Sequence, residues 1–343
     1  METARREIAA TLGVRRPEPG ELVFTAGGSE GDNLAVIGSA FAKPRRRGGR
    51  VITTDSEHPG LENAVRVLEN NGFDVVRIPT RGGILDLDAL SAALNEKTFL
   101  VSLMAVNNET GARYDIARAF AMVKAYREDI LTHTDAVQGY LRMPLQPKTL
   151  RADLVTVSAH KIHGPKGVGA LFISHEARKR RDLLPIIQGG GQEEGFRSGT
   201  ENLIGVAGFA AAAREGFAAM NANVGILTRL LALTEALLAD LPLRVNRPEG
   251  DRAPHILNFT VPGIRSETLL HALSARGIYV SNGSACSSHS AHPSAALTAF
   301  GLSAPDVGSS IRVSFCENNT EEEVLALADA LREEIGRLVR IKR

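Results

Sequence analysis

Cysteine is scarce in this chain. Two thiols in 343 residues leave no room for a disulfide framework and suit a reducing compartment. Charge of one sign is missing too: 40 Lys and Arg face 39 Asp and Glu, so no strong field selects nucleic acid or an anionic membrane surface. Long apolar runs are absent near the middle, where the uncharged stretch 203–213 stops at Arg214, well short of the roughly 20 residues a bilayer demands. The opening METARREIAATLG has no apolar signal-peptide core. What is left is the composition of a soluble, cytoplasmic protein, with length for about two domains of roughly 150 residues.

The first two-thirds alternates short β-rich runs with longer amphipathic ones. Strands are predicted at 21–25, 50–54, 74–79, 99–104, 130–135, 153–158 and 169–173, with helices at 31–41, 59–71 and 115–126 among those between them. Such alternation predicts a mainly parallel sheet covered on both faces. A long helical region runs from about 202 to 239. After the polar stretch 246–253 the pattern restarts with a strand at 255–261, a helix near 267–275 and a strand at 311–315. A final helix opens at Thr320-Glu321-Glu322-Glu323, a capping-box pattern. The division predicted from this is a large domain 1–245 and a smaller α/β domain 246–343. The basic runs Arg45-Arg46-Arg47 and 178–181 read as solvated turns and helix ends.

Chemistry concentrates in three places. Ser158-Ala159-His160-Lys161-Ile162-His163-Gly164-Pro165-Lys166-Gly167 follows a buried-looking strand, where α/β sheets place their ligand sites. Only eight of the basic residues are lysines, and Lys161 is the one between a strand end and a Gly-rich turn. A lysine held near apolar structure can give up its proton and condense with an aldehyde; the alternative is a solvated surface lysine. His160 and His163 lack an acidic or sulfur companion nearby, so no metal site is expected. Upstream, Asp135 closes a strand. It can face a pyridinium nitrogen, or simply cap the next helix. The loop Phe24-Thr25-Ala26-Gly27-Gly28-Ser29-Glu30 offers backbone N–H groups and a hydroxyl to a phosphate at a helix start. It is neither GxGxxG nor a Walker sequence, which disfavours a dinucleotide. The third place is Ser281 to Ser290, where Cys286 stands in a polar Gly/Ser loop, as a mobile nucleophile would or as an incidental surface thiol would. Cys316 follows an apolar strand and reads as structural or incidental.

These residues resemble a known family. The motifs FTAGGSEGDNLA (24–35), SEH (56–58), VNNETG (106–111), DAVQ (135–138), SAHKIHGPKG (158–167), GGGQEEGFRSGTEN (189–202), SNGSACSS (281–288) and SSIRVSF (309–315) occur in the order and spacing of the pyridoxal-phosphate-dependent cysteine desulfurases of the NifS/IscS type, within the class V aminotransferases. The resemblance implies the aspartate-aminotransferase-like fold type I, an α/β fold whose large domain has a mainly parallel seven-stranded sheet. It implies that Lys161 holds pyridoxal 5'-phosphate covalently, that Asp135 pairs with the ring nitrogen and that Gln138 bonds the phenolic oxygen. His58 would stack on the ring and Asn108 would line the pocket. Gly28, Ser29, Ser158 and His160 would bind the phosphate, and Thr200 would reach the phosphate in the other subunit of a homodimer. Arg312 would clamp the substrate carboxylate. Cys286 would take sulfur from L-cysteine as a persulfide, leaving L-alanine, and pass it to an acceptor protein, an iron–sulfur scaffold or a tRNA-thiolation enzyme. No direct contact with nucleic acid or membrane is implied.

One feature departs from the family pattern. Members open with a segment holding Asp-x-x-Ala-Thr-Thr and Asn-Pro-Ser-Ser, whereas this sequence starts inside what resembles the following helix, at 1–12. The expectation is a cofactor-loaded protein with weak desulfurase activity unless a partner or an upstream extension supplies that piece. The other readings are a selenocysteine lyase, another class V enzyme, or a non-catalytic relative that binds partners.

Overall fold

The computed structural model describes residues 1–282 and 293–341. Cys286 therefore lies outside the described residues. The chain divides into two compact units. The first comprises residues 1–79, 85–106 and 114–220, and the second 80–84, 107–113 and 221–343.

The first unit is built on a seven-stranded sheet. Its strands are β1 (Leu22–Thr25), β2 (Arg50–Thr54), β3 (Asp74–Ile78), β4 (Thr98–Ser102), β5 (Leu131–Asp135), β6 (Leu154–Ser158) and β7 (Gly169–Ile173), in the order β1-β7-β6-β5-β4-β2-β3. Only β7 runs against the other six. Strands β4 to β7 are buried at every position, as expected for central strands covered on both faces. The expected α/β architecture is present, and each predicted strand of this sheet is found within two residues of its expected ends.

The helix after β1 begins at Gly28 and reaches Phe41, but from Leu34 to Gly38 it is π-helical. Gly31 lets this helix lie directly on the sheet, since a Cβ there would be 2.8 Å from Thr156 Cγ2. Pro59–Asn70 and Ile116–Tyr126 are capped by His58 and Asp115, each accepting a backbone N–H. Glu2–Thr11 lies against Leu203–Ala218, and Tyr140 donates to Thr11 Oγ1 at 2.6 Å in the buried seam beneath.

The second unit has a three-stranded antiparallel sheet, β10 (Ser310–Ser314), β9 (Ile256–Thr260) and β8 (Arg244–Val245) in that order. The capping box forms as expected: Glu323 N–H donates to Thr320 Oγ1 and Thr320 N–H to Glu323 Oε2. The long helical region is two helices, Leu203–Ala218 and Met220–Leu238. Leu227, Leu230, Leu231 and Leu238 pack into the core of the second unit with Phe259 and Ile311. The compact units part between Met220 and Asn221, whereas the expected division lay near 245, just before the polar stretch 246–253.

Two ion-pair clusters lie in the interior of the first unit. Arg46, read from sequence as a solvated turn residue, is buried and donates to Ser39 O and to Asp182. Burial of Asp182 requires this, and Lys43 and Arg180 join it there. Lys124 is buried as well, donating to Ile130 O at 2.8 Å and to Asp153 Oδ2 at 2.5 Å. Asp153 also accepts from Thr132 N–H and from the Ser174 hydroxyl, so one carboxylate ties β5 to the ends of β6 and β7. Among the described residues no single helix is long and apolar enough to cross a membrane.

Lys124→Met keeps the aliphatic stem and leaves Asp153 without its cation. Removing one partner of a buried pair costs about 3–5 kcal/mol, and urea unfolding should show a loss of that size; a loss below about 1 kcal/mol would mean the pair contributes little.

Candidate active site

Six of the seven strands point the same way, so their carboxyl ends form one edge, and the first unit's candidate residues gather there. Asp135 ends β5. Ser158 ends β6, and the 3₁₀ turn Ala159–Lys161 follows immediately. His58 comes four residues after β2, and the loop 26–29 follows β1. Gly169, the first residue of β7, pairs with both Ser158 and Thr25. A Cβ there would lie 2.7 Å from Val157 O and 2.9 Å from Gly27, so only glycine lets the loop pass.

Gly28 and Ser29 open the helix that continues to Phe41, presenting backbone N–H groups at its positive end. A Cβ on Gly28 would be 2.6 Å from Val137 Cγ2, which brings this loop against the turn after Asp135. Ser29 Oγ would be 2.8 Å from a Cβ on Gly60, so the phosphate-type loop also adjoins the start of the His58 helix. Ser158 Oγ and His160 Nδ1 are 2.8 Å apart.

Asp135 is buried, and its Oδ1 accepts the Val137 N–H at 2.9 Å. Burial pushes its carboxyl above the usual range, while the charges of His58 and Lys161 pull the other way. His58 Nδ1 accepts the Gly60 N–H at 3.0 Å; burial lowers its pKa, and Lys161 adds to that. His160 is lowered by burial and by Lys161. Lys161 thus acts electrostatically on Asp135, His58 and His160 from the exposed end of its turn. Gln138 is half-buried one turn after Asp135. Thr200 is exposed, in the segment that follows Gly199.

Asn108 and Arg312 fall in the second unit. Arg312 is buried on β10, donating from Nη1 to Asn108 O at 2.8 Å and from Nη2 to the Ser281 hydroxyl at 3.3 Å. Ser281 and Arg312 exchange both backbone hydrogen bonds. Glu109, next to Asn108, accepts from Ser294 Oγ at 2.7 Å; burial raises its carboxyl and the Arg312 charge lowers it. Ser294 in turn caps the helix Ala295–Phe300.

Sequence reasoning missed the layer behind these groups. Asp32, Glu57 and His133 are fully buried beside Asp135. His133 Nδ1 is 2.7 Å from Ser102 Oγ and Nε2 is 2.9 Å from Thr156 Oγ1. Thr156 also bonds Asp32, whose carboxyl is held well above its usual range by burial and by Asp135. Two further carboxylates organise the loops. Glu30 accepts the Ala26 N–H and the Arg197 guanidinium, and Glu193 accepts the Phe24 N–H and Arg5. Both lie inside the quoted motifs, but only packing shows that they tie the loop after β1 to the segment carrying Thr200.

Residues 1–327 match the family described as aminotransferase class-V, and the chain belongs to that family of enzymes, which is pyridoxal-phosphate-dependent. A cysteine desulfurase of Trichormus azollae is 39% identical over 341 residues, covering 98% of this chain and 82% of the relative. The cysteine desulfurase IscS of Vibrio atlanticus is 40% identical over 329 residues, covering 94% of this chain and 78% of its own. A solved NifS-like protein superposes with a TM-score of 0.88 at 33% identity, covering 99% of this chain and 87% of that one. Within the class V family the chain's place is among the NifS/IscS-like cysteine desulfurases.

His133 titrates near 3 because burial disfavours its charged form. An unfolded chain binds that proton near 6.5, so the folded state loses stability as pH falls from about 6.5 towards 3. His133→Asn should flatten this part of the unfolding profile relative to wild type. A profile unchanged between pH 6.5 and 4 would show that His133 is not held neutral.

Proposed function

We propose that this protein is a cysteine desulfurase that uses pyridoxal 5'-phosphate to remove sulfur from L-cysteine, giving L-alanine and a persulfide on Cys286. The observation that carries the reading is the buried Asp135 with His58 and Lys161 acting on it, at one sheet edge, in a chain whose relatives are cysteine desulfurases. A relative of known structure, 33% identical, is described as SspA in complex with cysteine.

The residues fit the cofactor. Asp135 offers a water-excluded negative charge to a ring nitrogen. Gly28, Ser29, Ser158 and His160 offer a helix start, two hydroxyls and an imidazole to a phosphate. His58 presents an uncharged imidazole suited to lie on a ring face, and Gln138 has an amide for its phenolic oxygen. Thr200 would add a hydroxyl to the phosphate of a second subunit, making a homodimer the working form. When bound, pyridoxal phosphate supplies an electron sink for negative charge at the substrate's α-carbon.

The chain's own residues do the rest. Lys161 would hold the cofactor through its amine, and as a free amine it would move the proton at the substrate's α-carbon. Arg312 has the planar fork that a substrate carboxylate needs, and Asn108 stands beside it. Cys286, as thiolate, attacks the substrate sulfur: an S–S bond forms, the C–S bond breaks, and the carbon fragment keeps the electron pair and leaves protonated as alanine. The persulfide then passes to an acceptor protein, an iron–sulfur scaffold or a tRNA-thiolation enzyme, in the cytoplasm.

Lys161→Ala should lower alanine production from L-cysteine by about a thousandfold or more. Cys286→Ala should retain the cofactor's visible absorbance and its change on adding L-cysteine, yet carry no radioactive sulfur after incubation with labelled cysteine. Label found only on Cys316 would overturn the assignment.

A further inference from the structure

Glu57 precedes His58 and takes no part in the scheme above. Its side chain is buried. Oε1 accepts from Thr54 Oγ1 at 2.8 Å and from the Met104 N–H at 3.0 Å. Oε2 is buried and has no hydrogen-bond partner among the described residues. An ionised Glu57 would leave a bare oxyanion in that position, which burial strongly disfavours; the neutral acid places its proton on Oε2 and leaves both bonds at Oε1 intact. The charged and titratable groups around it are Asp135 on β5 and Asp32 on the helix after β1, which oppose its ionisation or feel it, with His58 and Lys161 acting on Asp135 and His133 beside Asp32. Burial, followed by Asp135, pushes the Glu57 carboxyl up to about 8.

We propose that Glu57 is a positioning residue for Asp135: by keeping its own proton on Oε2 it leaves Asp135 as the one ionised carboxyl of the Asp32–Glu57–Asp135 cluster, the charge that faces the ring nitrogen. The inference rests on the reading of Asp135 given above. Two carboxylates in one water-excluded pocket repel each other, so the proton stays with the group that has the fewer cationic neighbours. At alkaline pH the cluster sheds a second proton, and a second anion then strengthens the attraction for a cationic ring.

The test is Glu57→Gln in the full-length chain, which retains the Oε1 acceptor. The affinity for added pyridoxal phosphate should match wild type within about twofold at pH 6.5, and should be about three- to tenfold weaker than wild type at pH 9. Without the cofactor, the stability of Glu57→Gln relative to wild type should grow between pH 4.5 and 8, where the folded wild type retains a proton that its unfolded chain has lost, and level off above. A tenfold or larger loss of affinity at both pH values would mean that Glu57 is ionised throughout, and would overturn the proposal. Equal affinities at both pH values would overturn it too, whatever the stability curves show. Asp135→Asn separates the two levels. If it holds pyridoxal phosphate as wild type does at pH 6.5, the reading of Asp135 fails and the inference falls with it. If it weakens binding while Glu57→Gln departs from expectation, the inference alone fails.

Discussion

A carboxylate at the end of a central strand, sealed from water, has to be answered by positive charge. Asp135 is that group, and the candidate residues of the first unit are arranged around the requirement. Burial drives its pKa upward, and the opposing influences come from His58, Lys161 and the Val137 N–H. On the proposed reading, the remaining deficit of positive charge is what a cationic ring nitrogen would supply. Behind it, burial lowers the His133 imidazole and raises the carboxyls of Asp32 and Glu57.

Strand direction supplies the geometry. With six strands parallel, the ends of β1, β2, β5 and β6 open on a single edge, and groups distant in sequence converge there without a dedicated loop for each. The reversed strand β7 lies between β1 and β6 and pairs with both, and the Gly28–Ser29 helix start comes next to the turn that follows Asp135. Glu30 and Glu193 then bind that loop to the segment carrying Thr200 through Arg197 and Arg5. In the second unit Arg312 is fixed from two sides, by Asn108 O and by Ser281, before any carboxylate reaches it.

Much of this was legible in the sequence because the cues were local. The strands stood out as short β-rich runs between longer amphipathic ones, and Thr320 with Glu323 announced the last helix. The loop residues Gly28, Ser29, Ser158, His160 and Lys161 stood out because small or reactive residues at strand ends have few purely structural uses. The misses were non-local. Arg46 looked solvated because its partner Asp182 is 136 residues away. The π-helical turn at Leu34–Gly38 leaves no mark in a periodicity. Asp32, Glu57 and His133 stand among other polar residues in the sequence and are not singled out there, and their relation to Asp135 exists only once β2, β4, β5 and β6 are side by side. The polar stretch 246–253 suggested a boundary, whereas the leucines of Met220–Leu238 decide which core that helix joins.

The central claim is that Lys161, facing Asp135, is where pyridoxal phosphate is held. The most direct measurement is borohydride reduction of the purified protein after incubation with pyridoxal phosphate, followed by peptide mapping. The account predicts a pyridoxyl group on Lys161 and on no other lysine. A modified lysine elsewhere, or a protein that takes up no pyridoxal phosphate, would contradict it.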